Sequence, residues 1–278
     1  MTTVTSPTIK VQYRPAMLHF LFFIVNFAGR LEIENIDIQM KPSILFFRIY
    51  QWLIAAPILL VLTIITALAT MLGTYLDRDW WAYYPPRLWA RCWCVLLGVK
   101  VTVTGRENIN SSTSYVFVAN HQGAFDIFSI YGYLNHDFKW MMRKGLANIP
   151  LVGTACLRAG HIMVDTHSAH GLKQTIDNAE KQLKNGTSLV VFPEGRRTST
   201  GQMGAFKPGA FKLAEEFSLP VVPITINGSY RVMPRSTFNV TPGTITLTIH
   251  SPIEPGENGH DINELSRMSR EIISSALL

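Results

Sequence analysis

Apolar positions along this chain follow two different rhythms. From Val99 onward, short β-prone runs alternate with stretches of helical spacing, the pattern of an α/β domain. The runs VKVTVTG, SYVFVAN, FKWMM, HIMV, SLVVF, VVPITI and TITLTIH predict strands. In the last, Ile245, Leu247 and Ile249 keep strict period-two alternation. Helices are expected after GAFD (Gly123 to Asp126), over SAHGLKQTIDNAEKQLKNG with its Asn185-Gly186 stop, over GAFKLAEEF, and over the final DINELSRMSREIISSALL. The expectation is a mixed sheet flanked by helices.

Before residue 99 the rhythm is lost in near-continuous apolarity. The 28 residues from Ile49 to Leu76 carry no formal charge, and their centre, LIAAPILLVLTIITALATML, is apolar on every side. At about 1.5 Å per residue, roughly 20 residues cross a hydrocarbon core of about 30 Å. Trp52 near one end and Trp80 and Trp81 beyond the other stand where interfacial aromatics belong. Pro57 is tolerable in such a helix. A shorter run, Ala16 to Gly29, carries His19 and Asn26 and suits an interfacial or re-entrant helix; Asn26-Phe27-Ala28 is a poor signal-peptidase site. In PPRLWARCWCVLLGV, Trp89, Trp93, Leu96 and Leu97 alternate with Arg87 and Arg91, an amphipathic helix suited to lying on a membrane. The expected division is an N-terminal segment (1–43), a membrane-spanning or membrane-embedded helix (44–78) and an α/β domain (79–278).

Composition then narrows the class. The 278 residues are 47% hydrophobic with a net charge of +6, and the isoelectric point is near 9.3. A basic, apolar-rich chain fits an anionic membrane surface or a nucleic acid. The apolar segment decides for membrane lipids and against nucleic acid. Three cysteines, Cys92, Cys94 and Cys156, make neither a disulfide framework nor a zinc set.

Three polar clusters interrupt the domain. In NHQGAFD, His121 leaves the end of a strand, where open α/β sheets place their sites, and Asp126 falls in the first turn of the next helix. A reversal through Gly123 brings the carboxylate to one ring nitrogen, fixing the tautomer and leaving the other nitrogen basic. Spacing alone equally allows a capping Asp and an unrelated His. In FPEGRRTSTGQMGAFK, Glu194, Gly195, Arg196, Arg197 and Thr198 crowd a loop, with Lys207 downstream; forked donors beside glycine suit a phosphate, or form a solvated basic loop. In RKGLANIP, Arg143 and Lys144 precede an apolar helix, or form plain surface. Asp165, His167 and His170 are the remaining ligand-type group, a weak candidate for zinc. No Gly-x-Ser-x-Gly elbow occurs, so a serine acyl-enzyme is not indicated.

In order and spacing these clusters resemble the glycerolipid acyltransferase family, typified by 1-acylglycerol-3-phosphate acyltransferases. Asn120, His121 and Asp126 match its N-H-x4-D; Lys144, Leu146, Ile149, Pro150 and Gly153 approximate its second motif; Phe192, Pro193, Glu194, Gly195 and Arg197 match F-P-E-G-T-R; Val222, Pro223 and Ile224 match its V-P-I strand. The resemblance implies a membrane-bound O-acyltransferase with His121 and Asp126 catalytic and Lys144, Glu194, Gly195, Arg196, Arg197, Thr198 and Lys207 binding substrate. It further implies acyl-CoA or acyl carrier protein as donor, a lysophospholipid as acceptor, no cofactor, no metal, and a site facing the cytoplasm. Two departures leave the acceptor open among lysophosphatidate, glycerol-3-phosphate, other lysophospholipids and amino-acid lysolipids. Arg196 stands for the usual Thr, and Thr166 stands where the family carries a phosphate-holding arginine, a charge that Arg196 is expected to replace. A lipid-binding protein without turnover is the alternative of a different class.

Overall fold

The computed structural model describes residues 42–164, 187–256 and 260–278, with Thr175, Asp177, Ala179, Glu180 and Leu183 between them. The short apolar run at 16–29, the Asp165/His167/His170 group, Thr166 and most of the helix expected over 168–186 lie outside the described residues. Lys41–Leu278 forms one compact unit.

All seven expected strands are present: β1 (Val99–Thr104), β2 (Val116–Ala119), β3 (Phe138–Arg143), β4 (Ile162–Val164), β5 (Ser188–Val191), β6 (Val221–Asn227) and β7 (Gly243–Ile249). They pair in the order β1-β7-β6-β2-β5-β3-β4. The block β6-β2-β5-β3-β4 is parallel throughout, and β7 turns back antiparallel on β6, taking β1 with it. The sheet is therefore mixed, as expected. β2, at its centre, is buried on both faces, which is why its sequence is continuously apolar rather than alternating.

Alternation along β2 nonetheless sorts side chains between two cores. Phe117 and Ala119 join Phe125, Ile130, Val222, Ile224 and Ile226 on one face. Val116 and Val118 join Leu189, Phe211, Leu213, Leu265 and Ile273 on the other. The first face is covered by α1 (Pro42–Gly73), α2 (Arg78–Leu96) and α3 (Phe125–Tyr133). The second is covered by α5 (Gly209–Glu216) and α6 (Ile262–Ser275), while α4 (Val152–Arg158) packs beside α1. Burying one such Phe or Leu side chain contributes about 1.5–3 kcal/mol.

α1 is long and apolar enough to cross a membrane. Its middle widens into a π turn, Gln51–Ala55, where Gln51 is buried and holds the chain at 238–240 through Phe238 O and Val240 N. α1 and α2 run antiparallel: Tyr50 donates to Leu96 O, Trp89 Nε1 donates to Thr63 Oγ1, and Trp81 lies over Gly73. The turn between them is set by Asp77, whose side chain accepts from the amides of Asp79 and Trp80 and caps α2. Both ends of α1 are held to the α/β domain. Arg48 donates to Val240 O at the start. Beyond its end, the Arg158 guanidinium stacks over Tyr75 at 3.7 Å, and Arg78 Nε donates to Arg158 O. A stripe of small and polar residues (Ala55, Ala67, Thr70, Gly73) with Leu59 faces inward, whereas Phe46, Leu53, Val61, Ile65 and Leu72 face outward.

The structure corrects the reading of Trp89, Trp93, Leu96 and Leu97 as a membrane-facing stripe. Trp93 stacks on Phe128 at 4.6 Å, Trp89 packs edge-on against the same ring, and Leu97 is buried in the core. Arg91 Nε donates to Gly132 O and Arg87 to Asn135 Oδ1, so that face of α2 belongs to α3. The helix also begins earlier than Pro85, at Arg78, and runs through Pro85 and Pro86.

A Cβ on Gly73 would lie 2.0 Å from the Trp81 ring, far inside contact distance. Gly73→Val is therefore expected to lower thermal stability in detergent by about 1–3 kcal/mol through overpacking. An unchanged or raised Tm would show that the α1–α2 seam is not packed this way.

Candidate active site

β6, β2, β5 and β3 are parallel, so their carboxyl ends open on one edge of the sheet. Each delivers part of the polar constellation there. β2 ends at Ala119 and hands over to Asn120 and His121, β5 to the 192–198 loop, β6 to Gly228, and β3 to Lys144.

Asn120 is wholly buried and prolongs the sheet with its side chain. Its Nδ2 donates to Ile226 O at 2.9 Å and its Oδ1 accepts from Ile226 N at 2.8 Å. That two-point clasp to β6 fixes the direction in which the next residue leaves. His121 Nδ1 lies 2.8 Å from Asp126 Oδ2, and the same oxygen accepts from Gln122 N at 2.7 Å and Gly123 N at 2.9 Å. Asp126 is 0% exposed, while the His121 side chain retains 12%. The three contacts converge on Oδ2, while Oδ1 is buried with no hydrogen-bond partner among the described residues. With Nδ1 committed, Nε2 makes no hydrogen bond among the described residues and is the nitrogen left to accept a proton. The turn needs glycine at 123, where a Cβ would meet Ser229 O at 2.4 Å.

The 192–198 loop locks onto this turn. Phe192 stacks on the His121 ring at 4.0 Å and 9°, and Trp140 continues the stack. Thr198 N donates to His121 O at 3.0 Å, so Thr198 meets the histidine through its backbone. Glu194 faces inward, not toward the open edge. Its Oε1 accepts from His121 N at 2.7 Å and its Oε2 from Gly204 N at 2.8 Å. Burial pushes its carboxyl above the ordinary value, against those two amides, which pull it down. Glu194, expected to bind substrate, thus braces the two loops. Gly195 takes the left-handed conformation, φ 72°, and the Lys207 side chain runs past it, with Nζ 3.1 Å from where a Cβ would stand. The Gly195 amide, expected among candidate oxyanion donors, is already given to Phe192 O at 2.9 Å.

The basic residues divide by environment. Arg197 is half-buried; burial and the nearby positive charge of Arg235 lower its guanidinium from the usual value, and Asp126 acts the other way. Arg196, Lys207 and Lys144 are exposed. Lys144 follows β3, two strands from β2, at the level of Glu194 and His121 if the pairing is extended by sheet register. The second-motif residues shape a tight turn: Gly153 N donates to Ile149 O, and a Cβ at Gly153 would meet Ala147 O at 2.1 Å. Leu146, Ile149 and Leu151 leave an apolar lip exposed beside Lys144.

Sequence reading missed Arg235 and the segment that carries it. The signal was present in NGSYRVMPR, two arginines without an acid directly after the V-P-I strand.

A strand-end histidine held by a buried aspartate, beside an arginine loop at the open edge of this sheet, is the arrangement of an acyltransferase. Comparison with known proteins agrees. Residues 100–227 match the family described as Acyltransferase. The chain is 28% identical over 259 residues to a 1-acyl-sn-glycerol-3-phosphate acyltransferase of Chlamydomonas reinhardtii, covering 90% of this chain and 76% of that one. It is 31% identical to the enzyme of the same name from Pseudomonas aeruginosa, covering 66% and 71%. It spans about half the length of several other plant relatives. The crystal structure of PlsC, the 1-acyl-sn-glycerophosphate acyltransferase of Thermotoga maritima, superposes with a TM-score of 0.67 at 26% identity, covering 84% of this chain and 94% of that one. This chain belongs to the 1-acyl-sn-glycerol-3-phosphate acyltransferase family.

Replacing Asn120 by Ala would strand a buried N–H and a buried C=O of Ile226. A loss of about 2–6 kcal/mol in unfolding free energy is expected, at about 1–3 kcal/mol for each unsatisfied group. Stability within about 0.5 kcal/mol of wild type would show that the clasp does not set the exit of β2.

Proposed function

We propose that this protein transfers a fatty acyl group from a thioester, carried by coenzyme A or acyl carrier protein, to the free hydroxyl of 1-acyl-glycerol-3-phosphate. The observation that carries the reading is the 2.8 Å contact between His121 Nδ1 and Asp126 Oδ2 on a turn that leaves Nε2 open. Nε2 takes the hydroxyl proton as the oxygen attacks the thioester carbonyl, and the carbon–oxygen bond forms. Collapse of the tetrahedral adduct breaks the carbon–sulfur bond, and the imidazolium returns the proton to the departing thiolate. Asp126 orients the ring and stabilises its transient charge. General-base help of this kind is worth about 10²- to 10⁴-fold.

The backbone amides of Arg196 and Arg197 have no acceptor among the described residues and follow the left-handed Gly195, so they are our candidates for oxyanion donors. Arg197, Lys207 and Lys144 supply cationic contacts to the acceptor phosphate, which position its hydroxyl. Glu194 and Thr198 act by holding the loop against His121. The chemistry requires neither metal nor cofactor. Arg196, exposed on its turn, is left to the bilayer side of the loop in this reading, with the site on the cytoplasmic face where thioesters are supplied.

The same reading places the outward stripe of α1 in the hydrocarbon of one leaflet. Both ends of that helix are held by the α/β domain, which favours embedding alongside the domain over projection away from it. Trp80, Tyr84, Pro85 and Leu88 line an open groove edged by Arg87 and Arg91, aromatic and cationic chemistry suited to the headgroup level.

In an assay of thiol release and phosphatidate formation, His121→Ala is expected to lose at least about 100-fold in kcat while keeping its Tm. Wild-type turnover by that variant would defeat the assignment. Leu53→Lys combined with Val61→Lys is expected to shift the protein from pelleted liposomes to the supernatant. Full retention on the liposomes would place the membrane contact elsewhere.

A further inference from the structure

The segment from Gly228 to Arg235 is a wall of the site. Gly123 packs directly beneath Ser229 O and Met233 O, and Ala124 N donates to Met233 O at 3.3 Å. Tyr230 reaches the other loop, its ring lying over Gly201 and its hydroxyl donating to Ser199 O at 3.1 Å. The wall therefore touches both the turn that carries the His121–Asp126 pair and the loop that carries Arg197. Its last side chain, Arg235, is exposed two residues past the Met233 contact, where Thr237 N bonds back to Pro234 O and sets a tight turn. Neither Arg197 nor Arg235 forms a salt bridge among the described residues, and the 228–237 stretch contains no acidic residue. Arg197 and Arg235 are thus carried by two elements that meet beside the His121 turn, one half-buried and one exposed, and two cationic groups so placed are best satisfied by an anion.

We infer that Arg235 is the second arginine of the acceptor-phosphate clamp, gripping with Arg197 the phosphomonoester of the lysolipid. This rests on the acyltransferase reading and adds to it a residue that assigns specificity. A phosphomonoester offers oxygens for two guanidinium forks and carries close to two charges at neutral pH, so it satisfies both arginines where a phosphodiester or an uncharged headgroup satisfies neither fully. Arg235 also stands as the source of the charge that Thr166 does not provide, in place of the exposed Arg196.

The test uses the full chain in detergent, with acyl-CoA as donor and either 1-acylglycerol-3-phosphate or 1-acylglycerol as acceptor. Arg235→Ala is expected to raise KM for 1-acylglycerol-3-phosphate about 10- to 100-fold, the value of one charge-assisted hydrogen bond, with a much smaller change in kcat. The ratio of kcat/KM for the phosphorylated over the unphosphorylated acceptor should fall by a similar factor, and Arg235→Lys should recover part of it. In the double variant with Arg197→Ala the two losses should not multiply, because both act on one phosphate. If wild type forms phosphatidate but Arg235→Ala keeps both KM and the acceptor ratio, this inference fails and the activity stands. If wild type transfers nothing to 1-acylglycerol-3-phosphate, both fail.

Discussion

A single oxygen of Asp126 accepts from the imidazole of His121 and from the amides of Gln122 and Gly123, and the rest of the site is arranged around that convergence. The carboxylate is wholly buried, and burying a polar group is costly unless hydrogen bonds replace its lost hydration, which here they do at Oδ2. The two amides are supplied by the turn that follows β2, so the charge that orients the histidine also fixes the backbone that carries it. Upstream, the clasp between Asn120 and Ile226 sets where that turn begins. Downstream, Glu194 and Thr198 bind the same turn from the neighbouring loop. One face of the imidazole is pinned by Phe192. Orientation is thus built into the backbone, as the general base proposed here requires.

The parallel order β6-β2-β5-β3 turns this local geometry into a site of useful size. Four strands end on one edge, and adjacent strands stand about 4.8 Å apart, so the arginine loop flanks the histidine on one side and the Gly228–Arg235 wall on the other. The exposed apolar lip at Leu146, Ile149 and Leu151 and the outward stripe of α1 are parts of the same compact unit as the catalytic-type pair. Exposed apolar surface and a basic loop thus stand in one unit, the combination that the proposed acceptor, with its acyl chain and charged head, would require.

Sequence periodicity was enough for the sheet, because each strand is a short apolar run closed by a turn residue. The His121–Asp126 pairing was legible only through the N-H-x4-D resemblance, because the spacing by itself equally allows a capping Asp and an unrelated His. Three things were not. The apolar face of α2 reads identically whether it meets lipid or Phe128, because hydrophobic spacing records burial and not the partner. Glu194 has the composition of a ligand-binding residue, yet its oxygens are used by two amides that sit 73 and 10 positions away in the chain. Arg235 lies on the connection after β6 and Arg197 on the one after β5, two stretches that only the fold joins, through Tyr230 and Ser199.

In the proposed reaction an aspartate-held imidazole activates the acceptor hydroxyl for direct attack, with no acyl-enzyme between donor and product. Rapid-quench measurement of free thiol from acyl-CoA, with and without 1-acylglycerol-3-phosphate, addresses it most directly. The account requires thiol and phosphatidate to appear together and only when the acceptor is present. A burst of thiol stoichiometric with enzyme in the absence of acceptor would contradict it.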